Sequence, residues 1–268
     1  MNASEAKAAV AALFDKTAES YEELGVEYFA PMGRALVERA GVAPGERVLD
    51  VGCGRGHVLF PAAAAAGPRG TVVGTDLAPG MVARTAEAAA DLPWVSVALG
   101  DAAEPDFPDG TFDVVLAGLV LFFLPVPEEA LAAYTRVLRP GGRLAFSTFA
   151  RHDPVFGGTV KALAALCPPG QGERPADRFE KPEEIRALLT LWEAVEITEV
   201  PVETRFSDLD HVWRWLWTHG MRGLLESIPT ERLDEAREAA YAALSPAVEG
   251  EEVVLRTRLR VTTAVRPG

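Results

Sequence analysis

The architecture of this 268-residue chain is indicated most clearly by one segment, Val48-Leu49-Asp50-Val51-Gly52-Cys53-Gly54-Arg55-Gly56. Its first residues are apolar and mostly β-branched or long, which predicts a short buried strand over residues 47–52. Three glycines at alternate positions follow, and glycine lets the backbone turn sharply and approach a ligand closely. An alanine-rich run up to Ala66 then predicts a helix. A strand, a glycine turn and a helix in this order predict a ligand-binding unit.

The spacing of the glycines distinguishes this turn from one that binds a dinucleotide. A dinucleotide fingerprint reads Gly-x-Gly-x-x-Gly, whereas here Gly52 and Gly54 are followed by His57 where the third glycine should be. Asp50 precedes the first glycine, and its carboxylate would repel a pyrophosphate but attract an ammonium group. The N–H groups at the start of the following helix favour an anionic group. The turn therefore predicts a ligand with both a carboxylate and an amine.

Strands and helices are predicted to alternate from residue 45 to residue 150. The predicted strands are 47–52, 71–76, 94–99, 112–117 and 143–149, and the predicted helices between them are 56–66, 80–91 and 128–138. This rhythm predicts an α/β fold with a mostly parallel sheet and helices on both faces. Residues 3–40 are predicted to be helical, with a break near Pro31.

The regular alternation of predicted strands and helices ends after Phe149. A segment rich in proline and glycine covers residues 150–180, and we expect a helix over 182–191 and a strand over 194–201. A helical stretch with three tryptophans, which extends to about Leu244, and a last strand over 252–265 follow. Trp213 and Trp217 should share one helix face because they are four residues apart. The sequence thus predicts a seven-stranded sheet with a helical lid inserted toward the C-terminus.

Acidic residues stand at the ends of the first three predicted strands. Asp76 ends the second strand in Val-Val-Gly-Thr-Asp-Leu, and Asp101 follows the third in Leu-Gly-Asp-Ala. The carboxyl ends of parallel strands meet at one edge, where ligands bind, so Asp50, Asp76, Asp101 and Ala117 should surround one crevice. A carboxylate has enough lone pairs to accept from two adjacent hydroxyl groups. The alternatives are a helix cap for Asp50 and turn residues for the other two acids.

These segments together resemble the class I S-adenosylmethionine (SAM)-dependent methyltransferases. Asp-Val-Gly-Cys-Gly-Arg-Gly is similar to the glycine-rich first motif of that family, and the strand ends at Asp76 and Asp101 follow in the family's order. Residues 112–117 resemble the fourth-strand motif, and residues 137–142 resemble the turn before the fifth strand. The segment from Phe14 to Tyr21 resembles the N-terminal helix of UbiE-like small-molecule methyltransferases.

The resemblance implies a Rossmann-like fold, the cofactor SAM and the product S-adenosylhomocysteine (SAH). By this likeness, Asp76 would hold both ribose hydroxyls, Asp101 would accept the adenine amino group, Met81 would pack near adenine, and Tyr21 would cover the methionine end. Met81 in a helix core and Tyr21 as a packing residue are the alternatives. The complete cofactor-binding set that we expect is Asp50, Gly52, Gly54, Gly56, Asp76, Leu77, Met81, Asp101, Ala102, Ala117 and Tyr21.

Two histidines are candidates for a catalytic base. A hydroxyl or acidic-carbon acceptor must lose a proton, and histidine is the usual group for that task, whereas a neutral amine or a carboxylate acceptor needs no strong base. His152 follows the fifth strand at the edge of the sheet where ligands bind, and His219 lies in the predicted lid. A structural role is the alternative for both, and we expect structural roles for His57 and His211. The sequence contains no metal-ligand pattern, and we expect no metal.

The amino-acid composition indicates which kinds of molecule the protein can bind. The chain carries 26 basic and 39 acidic residues, a formal net charge of −13, which disfavours a nucleic-acid substrate. Arg256, Arg258 and Arg260 alternate with apolar residues and are predicted to lie on the solvent face of the last strand. Two cysteines and no long apolar segment predict a cytoplasmic protein that does not span a membrane. Nothing in the sequence indicates an oligomeric state.

The prediction is a single-domain SAM-dependent methyltransferase that acts on a small organic acceptor, such as an apolar natural product. Its parts would be N-terminal helices over 1–40, a SAM-binding core over 45–150, a lid and substrate-binding insertion over 151–250, and a final strand over 252–265. The alternatives are an enzyme of this fold that binds SAM without methylating, such as a cyclase or decarboxylase, and a non-catalytic SAM-binding module. An NAD(P) oxidoreductase is disfavoured by Asp50 and His57.

Overall fold

One mixed sheet forms the centre of the computed structural model, which describes residues 3–21, 23–169 and 179–268. The strands are β1 (Arg47–Val51), β2 (Thr71–Asp76), β3 (Val95–Leu99), β4 (Phe112–Gly118), β5 (Leu138–Arg151), β6 (Glu193–Phe206), β7 (Val248–Glu249) and β8 (Glu252–Val265). The helices are α1 (Ala3–Thr17), α2 (Phe29–Ala40), α3 (Leu59–Ala66), α4 (Pro79–Ala88), α5 (Pro127–Val137), α6 (Pro154–Ala164), α7 (Pro182–Leu188), α8 (Leu209–Leu216), α9 (Arg222–Glu226) and α10 (Leu233–Leu244). Short 3₁₀ turns cover residues 121–123, 230–232 and 245–247.

The strand order is β3-β2-β1-β4-β5-β8-β6, and β7 pairs with β8 beside this path. Strands β1 to β5 run parallel, while β8 is antiparallel to both β5 and β6. The chain moves outward from β1 to β3 and then returns to place β4 on the other side of β1. A crevice at such a reversal of strand order is the usual ligand site of a parallel α/β sheet.

The central strands are buried on both faces, as their apolar sequences predict. Val48 and Val114 belong to one core cluster together with α2 and α3, whereas Leu49 and Val115 belong to a second cluster together with α5. All four side chains are fully buried. The predicted fold, a Rossmann-like and mostly parallel sheet with helices on both faces, is confirmed.

Several predicted element boundaries were wrong. Helix α3 begins at Leu59, because the backbone from residue 53 to residue 58 is occupied by the glycine turn. The break between α1 and α2 spans residues 18–28, and Pro31 lies inside the first turn of α2, where a missing N–H costs nothing. The sheet has an eighth strand, the two-residue β7, beside the seven predicted ones.

Helix α6 lies within the proline- and glycine-rich segment, for which the sequence analysis named no helix. Its start is fixed by Asp153, whose carboxylate accepts the backbone N–H groups of Val155 and Phe156 and also that of Arg256 on β8. Proline at the first helical position suits this cap. The high glycine and proline content of residues 150–180 therefore gave no indication of this capped helix. Residues 170–178 of the predicted lid segment lie outside the described residues.

Arg260 corrects the prediction that three arginines share the solvent face of β8. Arg256 and Arg258 are exposed, but Arg260 is only 3% exposed. Its Nη1 atom donates to the carbonyl oxygens of Phe179 and Glu180, at 2.6 and 2.7 Å. Arg260 departs from the alternation of exposed and buried side chains along β8, because residues 179–180 cover this part of the strand.

The C-terminal helices share a core with the sheet. Trp215 and Leu216 of α8, Leu225 of α9 and Leu244 of α10 are buried in the same cluster as Leu36 of α2. This packing places α8 beside the start of α2, where Trp215 contacts Tyr28. Within the described residues, no helix combines the length and apolar character needed to cross a membrane.

Candidate active site

The glycine turn after β1 requires glycine at each of its three positions. Gly52, Gly54 and Gly56 have φ values of +65°, +49° and +85°, which side-chain-bearing residues rarely adopt. A Cβ atom at Gly52 would lie 2.5 Å from Val120, and one at Gly56 would lie 2.4 Å from Phe60. A Cβ atom at Gly54 would meet nothing within 4 Å. The backbone at Gly54 is thus the part of the turn that a ligand can approach closely.

Asp76 joins the glycine turn to the loop after β2. Its Oδ2 atom accepts the backbone N–H of Gly54 at 2.8 Å, and its Oδ1 atom accepts that of Ala78 at 2.9 Å. Burial raises the pKa of Asp76, while the N–H groups of Ala78, Gly54 and Leu77 lower it in part. Each oxygen has used one lone pair, so each retains a second position for an incoming hydroxyl donor.

Asp50 is a buried acid at the end of β1. It is 1% exposed, and among the described residues neither of its oxygens has a hydrogen-bond partner of regular geometry. Burial raises the pKa of Asp50 strongly, the negative charge of Asp76 adds to the rise, and the Leu59 N–H opposes it. Asp50 is not the N-cap residue of α3: Val58 holds that position, and no side-chain hydrogen bond caps the helix. In the described ranges no basic side chain pairs with Asp50, and burial of an unpaired charge is costly.

The start of α4 supplies an apolar wall next to these acids. Met81 is 1% exposed and packs with Ala18 and Ala78, and the side chains of Phe14 and Tyr21 lie against this small cluster. Leu77 stands between Asp76 and Ala78 and is half-buried. The wall is formed jointly by α4 and by the end of α1.

Asp101 has a partner that the sequence analysis did not identify. Its Oδ1 atom accepts the backbone N–H of Ala103 at 2.8 Å, and its Oδ2 atom lies 2.6 Å from Nζ of Lys7 on α1. Ala102 is buried, and its carbonyl oxygen accepts the Tyr134 hydroxyl at 2.7 Å. Burial and the nearby charge of Asp101 raise the pKa of Tyr134. The loop after β3 is therefore fixed from two sides.

The end of β4 carries a strained residue. Leu119 has a φ of +57°, and its N–H donates to both the carbonyl and the hydroxyl oxygen of Ser147, each at 3.2 Å. Left-handed backbone at a residue other than glycine is often found at functional sites. Ala117, predicted to contact the cofactor, has its methyl group fully buried in the core cluster that includes α5.

Aromatic side chains gather where α2, α6 and α8 meet the ends of β4 and β5. This aromatic cluster consists of Tyr28, Phe29, Phe122, Phe149, His152, Phe156, Trp215 and His219. The centroid distances include 4.9 Å for Tyr28–Trp215, 6.5 Å for Tyr28–Phe149 and 6.0 Å for Phe122–Phe149. His152 lies 4.3 Å from Phe149, and His219 lies 4.1 Å from Trp215. The cluster thus brings both candidate histidines to one region.

His219 is the candidate histidine nearer to the glycine turn. The ring of Phe29 lies 5.7 Å from His219 and 5.8 Å from His57, which directly follows the turn. His219 is 6% exposed, and its Nδ1 atom lies 2.9 Å from the Trp215 carbonyl oxygen. A carbonyl oxygen only accepts, so Nδ1 carries the hydrogen, and the neutral ring has its lone pair on Nε2.

The other histidines and tryptophans have structural contacts. His211 donates through Nε2 to the Leu24 carbonyl oxygen at 3.1 Å, and its Nδ1 accepts the Ser207 N–H at 3.2 Å. Trp213 and Trp217 contact each other with centroids 6.1 Å apart, as their spacing predicts. Trp215, however, is the tryptophan that belongs to the aromatic cluster.

A glycine turn at a reversal of strand order, flanked by strand-end carboxylates, defines a Rossmann-like protein that binds a nucleoside-type ligand. The open space at Gly54, the remaining lone pairs of Asp76 and the buried carboxylate of Asp50 fit a ligand with a ribose and an ammonium group. In the part of the chain that the structure describes, no three or more His, Cys, Asp or Glu side chains are grouped to hold a metal ion.

Comparison with known proteins identifies the family. A family model described as a methyltransferase domain matches residues 49–146. The chain is 36% identical to nocamycin O-methyltransferase from Saccharothrix syringae over 95% of this chain and 98% of the relative. It is 44% identical to aklanonic acid methyltransferase from Streptomyces sp. (strain C5) over 58% of this chain and 70% of the relative. The YcgJ protein from Bacillus subtilis has a similar fold, with a TM-score of 0.61 at 17% identity, over 88% of this chain and 98% of that one.

This chain belongs to the class I SAM-dependent methyltransferases. Its cofactor is SAM, and its reaction is the transfer of a methyl group to a small organic acceptor. The prediction made from the glycine turn and the strand-end acids is confirmed at this level. A non-methylating enzyme and a non-catalytic module are not favoured, because both relatives above are named as methyltransferases.

Proposed function

We propose that this enzyme methylates an oxygen atom of a planar, largely apolar natural product, with the acceptor seated against the aromatic cluster. The names of the two relatives, one an O-methyltransferase and one acting on an acid, support an oxygen acceptor. The observation that carries the proposal is the position of the aromatic cluster, which the Phe29 ring links to the glycine turn.

SAM, when bound, supplies a methyl group on a positively charged sulfur. In this proposal Asp76 holds both ribose hydroxyls through its remaining lone pairs, and Asp50 attracts the amino group of the methionine end. Gly52, Gly54 and Gly56 form the turn that permits close approach. Ala117 contributes through its backbone, because its methyl group is fully buried.

The adenine end is assigned to the loops after β2 and β3. Asp101 accepts the adenine amino group, and Met81 supports the ring with its buried thioether. Leu77 and Ala102 flank these two residues in the chain. Tyr21, stacked on Phe29 at 5.2 Å, covers the methionine end beside the glycine turn.

The aromatic cluster suits a flat acceptor for two reasons. Ring faces and edges pack well against a planar apolar molecule, and buried side chains such as Trp215 and Phe156 exclude water from the reacting atoms. Holding the acceptor in line with the methyl group is the main requirement of this displacement, and orientation of that kind lowers the barrier substantially.

His219 is proposed as the base that removes the acceptor proton. Its Nδ1–H is held by the Trp215 carbonyl, so the neutral ring presents a lone pair on Nε2. His152 is proposed to orient the acceptor, since it lies against Phe149 and Phe156 rather than next to the glycine turn.

Composition supports a diffusible acceptor rather than a macromolecule. The net charge of −13 opposes contact with phosphate backbones. Cys53 and Cys167 are both free, which agrees with the reducing cytoplasm that we propose as the compartment.

The experiment is a product analysis with SAM carrying a deuterated methyl group and a panel of aromatic polyketides that differ only in a phenol, a carboxyl or an amino group. Gain of one labelled methyl on oxygen supports the proposal. Methylation of the amino compounds alone, or of linear aliphatic acceptors in preference to flat ones, would contradict it.

A further inference from the structure

The side chains that follow β4 do not continue the alternation of that strand. Val114 and Leu116 belong to the core cluster with α2 and α3, while Val115 and Ala117 belong to the cluster with α5. An extended chain would continue this alternation and place residue 119 on the α5 side. Leu119 instead packs against the cluster with α2 and α3. The alternation between the two faces of the sheet is therefore reversed at this residue.

The residues after Leu119 are also on the face opposite to the expected one. Val120 and Phe122 pack against the cluster with α5, although continued alternation would put both on the other side. A Cβ atom at Gly52 would lie 2.5 Å from a methyl carbon of Val120, so this side chain covers the first glycine of the turn. The Phe122 ring lies 6.0 Å from the ring of Phe149. One short segment thus contacts both the glycine turn and the aromatic cluster.

The backbone of Leu119 accounts for the reversal. Its φ of +57° is left-handed, which breaks the extended geometry on which the alternation depends. Its N–H donates to both the carbonyl and the hydroxyl oxygen of Ser147, which is 1% exposed. A left-handed backbone is costly for a residue other than glycine and persists only where the surroundings fix it. Ser147 is the group that fixes it here.

We propose that Leu119 is a positioning residue for methyl transfer, because its left-handed backbone holds Val120 against the glycine turn and Phe122 in the aromatic cluster. The inference rests on the proposed seat of the acceptor at that cluster. Transfer requires the acceptor atom, the methyl group and the sulfur in line, and a small displacement of either partner lowers the rate greatly. The turn at Leu119 therefore sets the distance between the cofactor and the acceptor.

Two substitutions at Leu119 separate the role of its backbone from the role of its packing. Leu119→Gly removes the whole side chain but adopts a positive φ without cost, whereas Leu119→Val keeps an apolar side chain whose β-branch resists that conformation. With the panel compound that the wild-type enzyme methylates fastest, kcat should be about tenfold lower in Leu119→Val than in Leu119→Gly. A role in packing alone predicts the opposite order, because glycine loses more apolar contact.

Ala194 offers a matched control. Among the described residues it is the other non-glycine residue with a positive φ, +46°. Val265 pairs with both Glu193 and Arg143, so Ala194 lies near the start of β5 and far from the carboxyl ends of the strands. Ala194→Val imposes a similar backbone penalty, so it should lower Tm and leave kcat unchanged.

The position of Val120 is measured without an acceptor. In the SAH-bound chain with ¹³C-labelled valine methyl groups, a nuclear Overhauser effect should connect a Val120 methyl group to the α protons of Gly52. This effect should remain in Leu119→Gly and disappear in Leu119→Val. If Leu119→Val does not fold, Ser147→Ala takes its place. It removes one of the two acceptors of the Leu119 N–H and should weaken the effect and lower kcat by about threefold.

Two results would overturn the proposal. A kcat in Leu119→Gly equal to or below that of Leu119→Val would leave Leu119 with a packing role alone. An unchanged Overhauser effect between Val120 and Gly52 in the folded Leu119→Val or Ser147→Ala variant would show that the left-handed backbone does not place Val120. This second measurement needs no acceptor, so failure of the proposed oxygen methylation is detected separately.

Discussion

The Asp76 carboxylate accepts the backbone N–H of Gly54 at 2.8 Å, and this bond ties together the loops after two neighbouring strands. The same carboxylate accepts the Ala78 N–H through its other oxygen. Asp76 therefore shapes the glycine turn and the start of α4 at once, while each oxygen keeps one lone pair for a ligand.

Asp76→Ala is expected to weaken SAH binding by about tenfold to a hundredfold, because hydrogen bonds to a charged group contribute about 1.5–3 kcal/mol each. Isothermal titration calorimetry measures the change. Asp113→Asn is the matched control, since Asp113 also belongs to a strand of the sheet but binds Arg139 and the Arg47 N–H. Unchanged affinity in Asp76→Ala would remove Asp76 from the cofactor site.

Gly54→Ala is expected to lower both stability and SAH affinity. Stability falls because the positive φ at residue 54 costs about 1–2 kcal/mol for any residue that has a side chain. Affinity falls because the added methyl group projects into the open space assigned to the ligand. Gly41→Ala separates the effect on stability from the effect on affinity. Gly41 also has a positive φ, +61°, and open space around its Cβ position, but it lies at the end of α2 and not in the glycine turn. Thermal unfolding should show similar losses for both variants. Similar SAH affinities for the two would contradict the assignment.

Asp50→Asn is expected to stabilise the ligand-free protein and to weaken SAH binding. Burial raises the pKa of Asp50, so the folded state binds its proton more tightly than the unfolded chain does, and stability falls as the pH rises through the folded pKa. The stability advantage of the variant should therefore grow with pH. Each 1 kcal/mol corresponds to roughly 2–4 °C in Tm for a chain of this size.

Asp113→Asn provides a control of opposite sign for that experiment. Burial alone would raise the pKa of Asp113, but hydrogen bonds from Arg139 and from the Arg47 N–H outweigh it and lower the pKa. Its contribution to stability is present at neutral pH and is lost as the pH falls through the folded pKa. If both variants respond to pH in the same direction, the account of Asp50 is wrong.

The sheet could be predicted because the sequence patterns that indicate it each involve residues close together in the chain. Glycines at alternate positions, short apolar runs and acids at strand ends each depend on a few neighbouring residues, and the confirmed fold follows from their order. Helix α6 was missed because its cap, Asp153, stands in a segment rich in proline and glycine. The burial of Arg260 was missed because residues 179–180, far away in sequence, cover it.

The candidate site was predictable only in part. The positions of Asp50, Asp76 and Asp101 follow from the rule that ligands bind at the carboxyl ends of strands. The ion pair of Lys7 with Asp101 joins residues from α1 and the loop after β3, and no spacing rule connects them. The strained backbone of Leu119 likewise has no sequence signal, because leucine rarely adopts a positive φ.

His219→Asn is expected to lower kcat by about a hundredfold for a hydroxyl acceptor. His211→Asn, which affects a histidine bound to Leu24 and Ser207, is the control and should keep the wild-type kcat. His152→Asn should mainly raise KM. A change in KM alone for His219→Asn would indicate a carboxylate acceptor that needs no base.

Calorimetric titration of the wild-type chain with SAH and, separately, with NAD examines the nature of the ligand at the glycine turn. Asp50 and Asp76 beside that turn predict tight binding of one SAH per chain and no measurable heat with NAD, because the pyrophosphate would face two carboxylates. Binding of NAD without binding of SAH would contradict the assignment of this crevice to a phosphate-free, zwitterionic nucleoside.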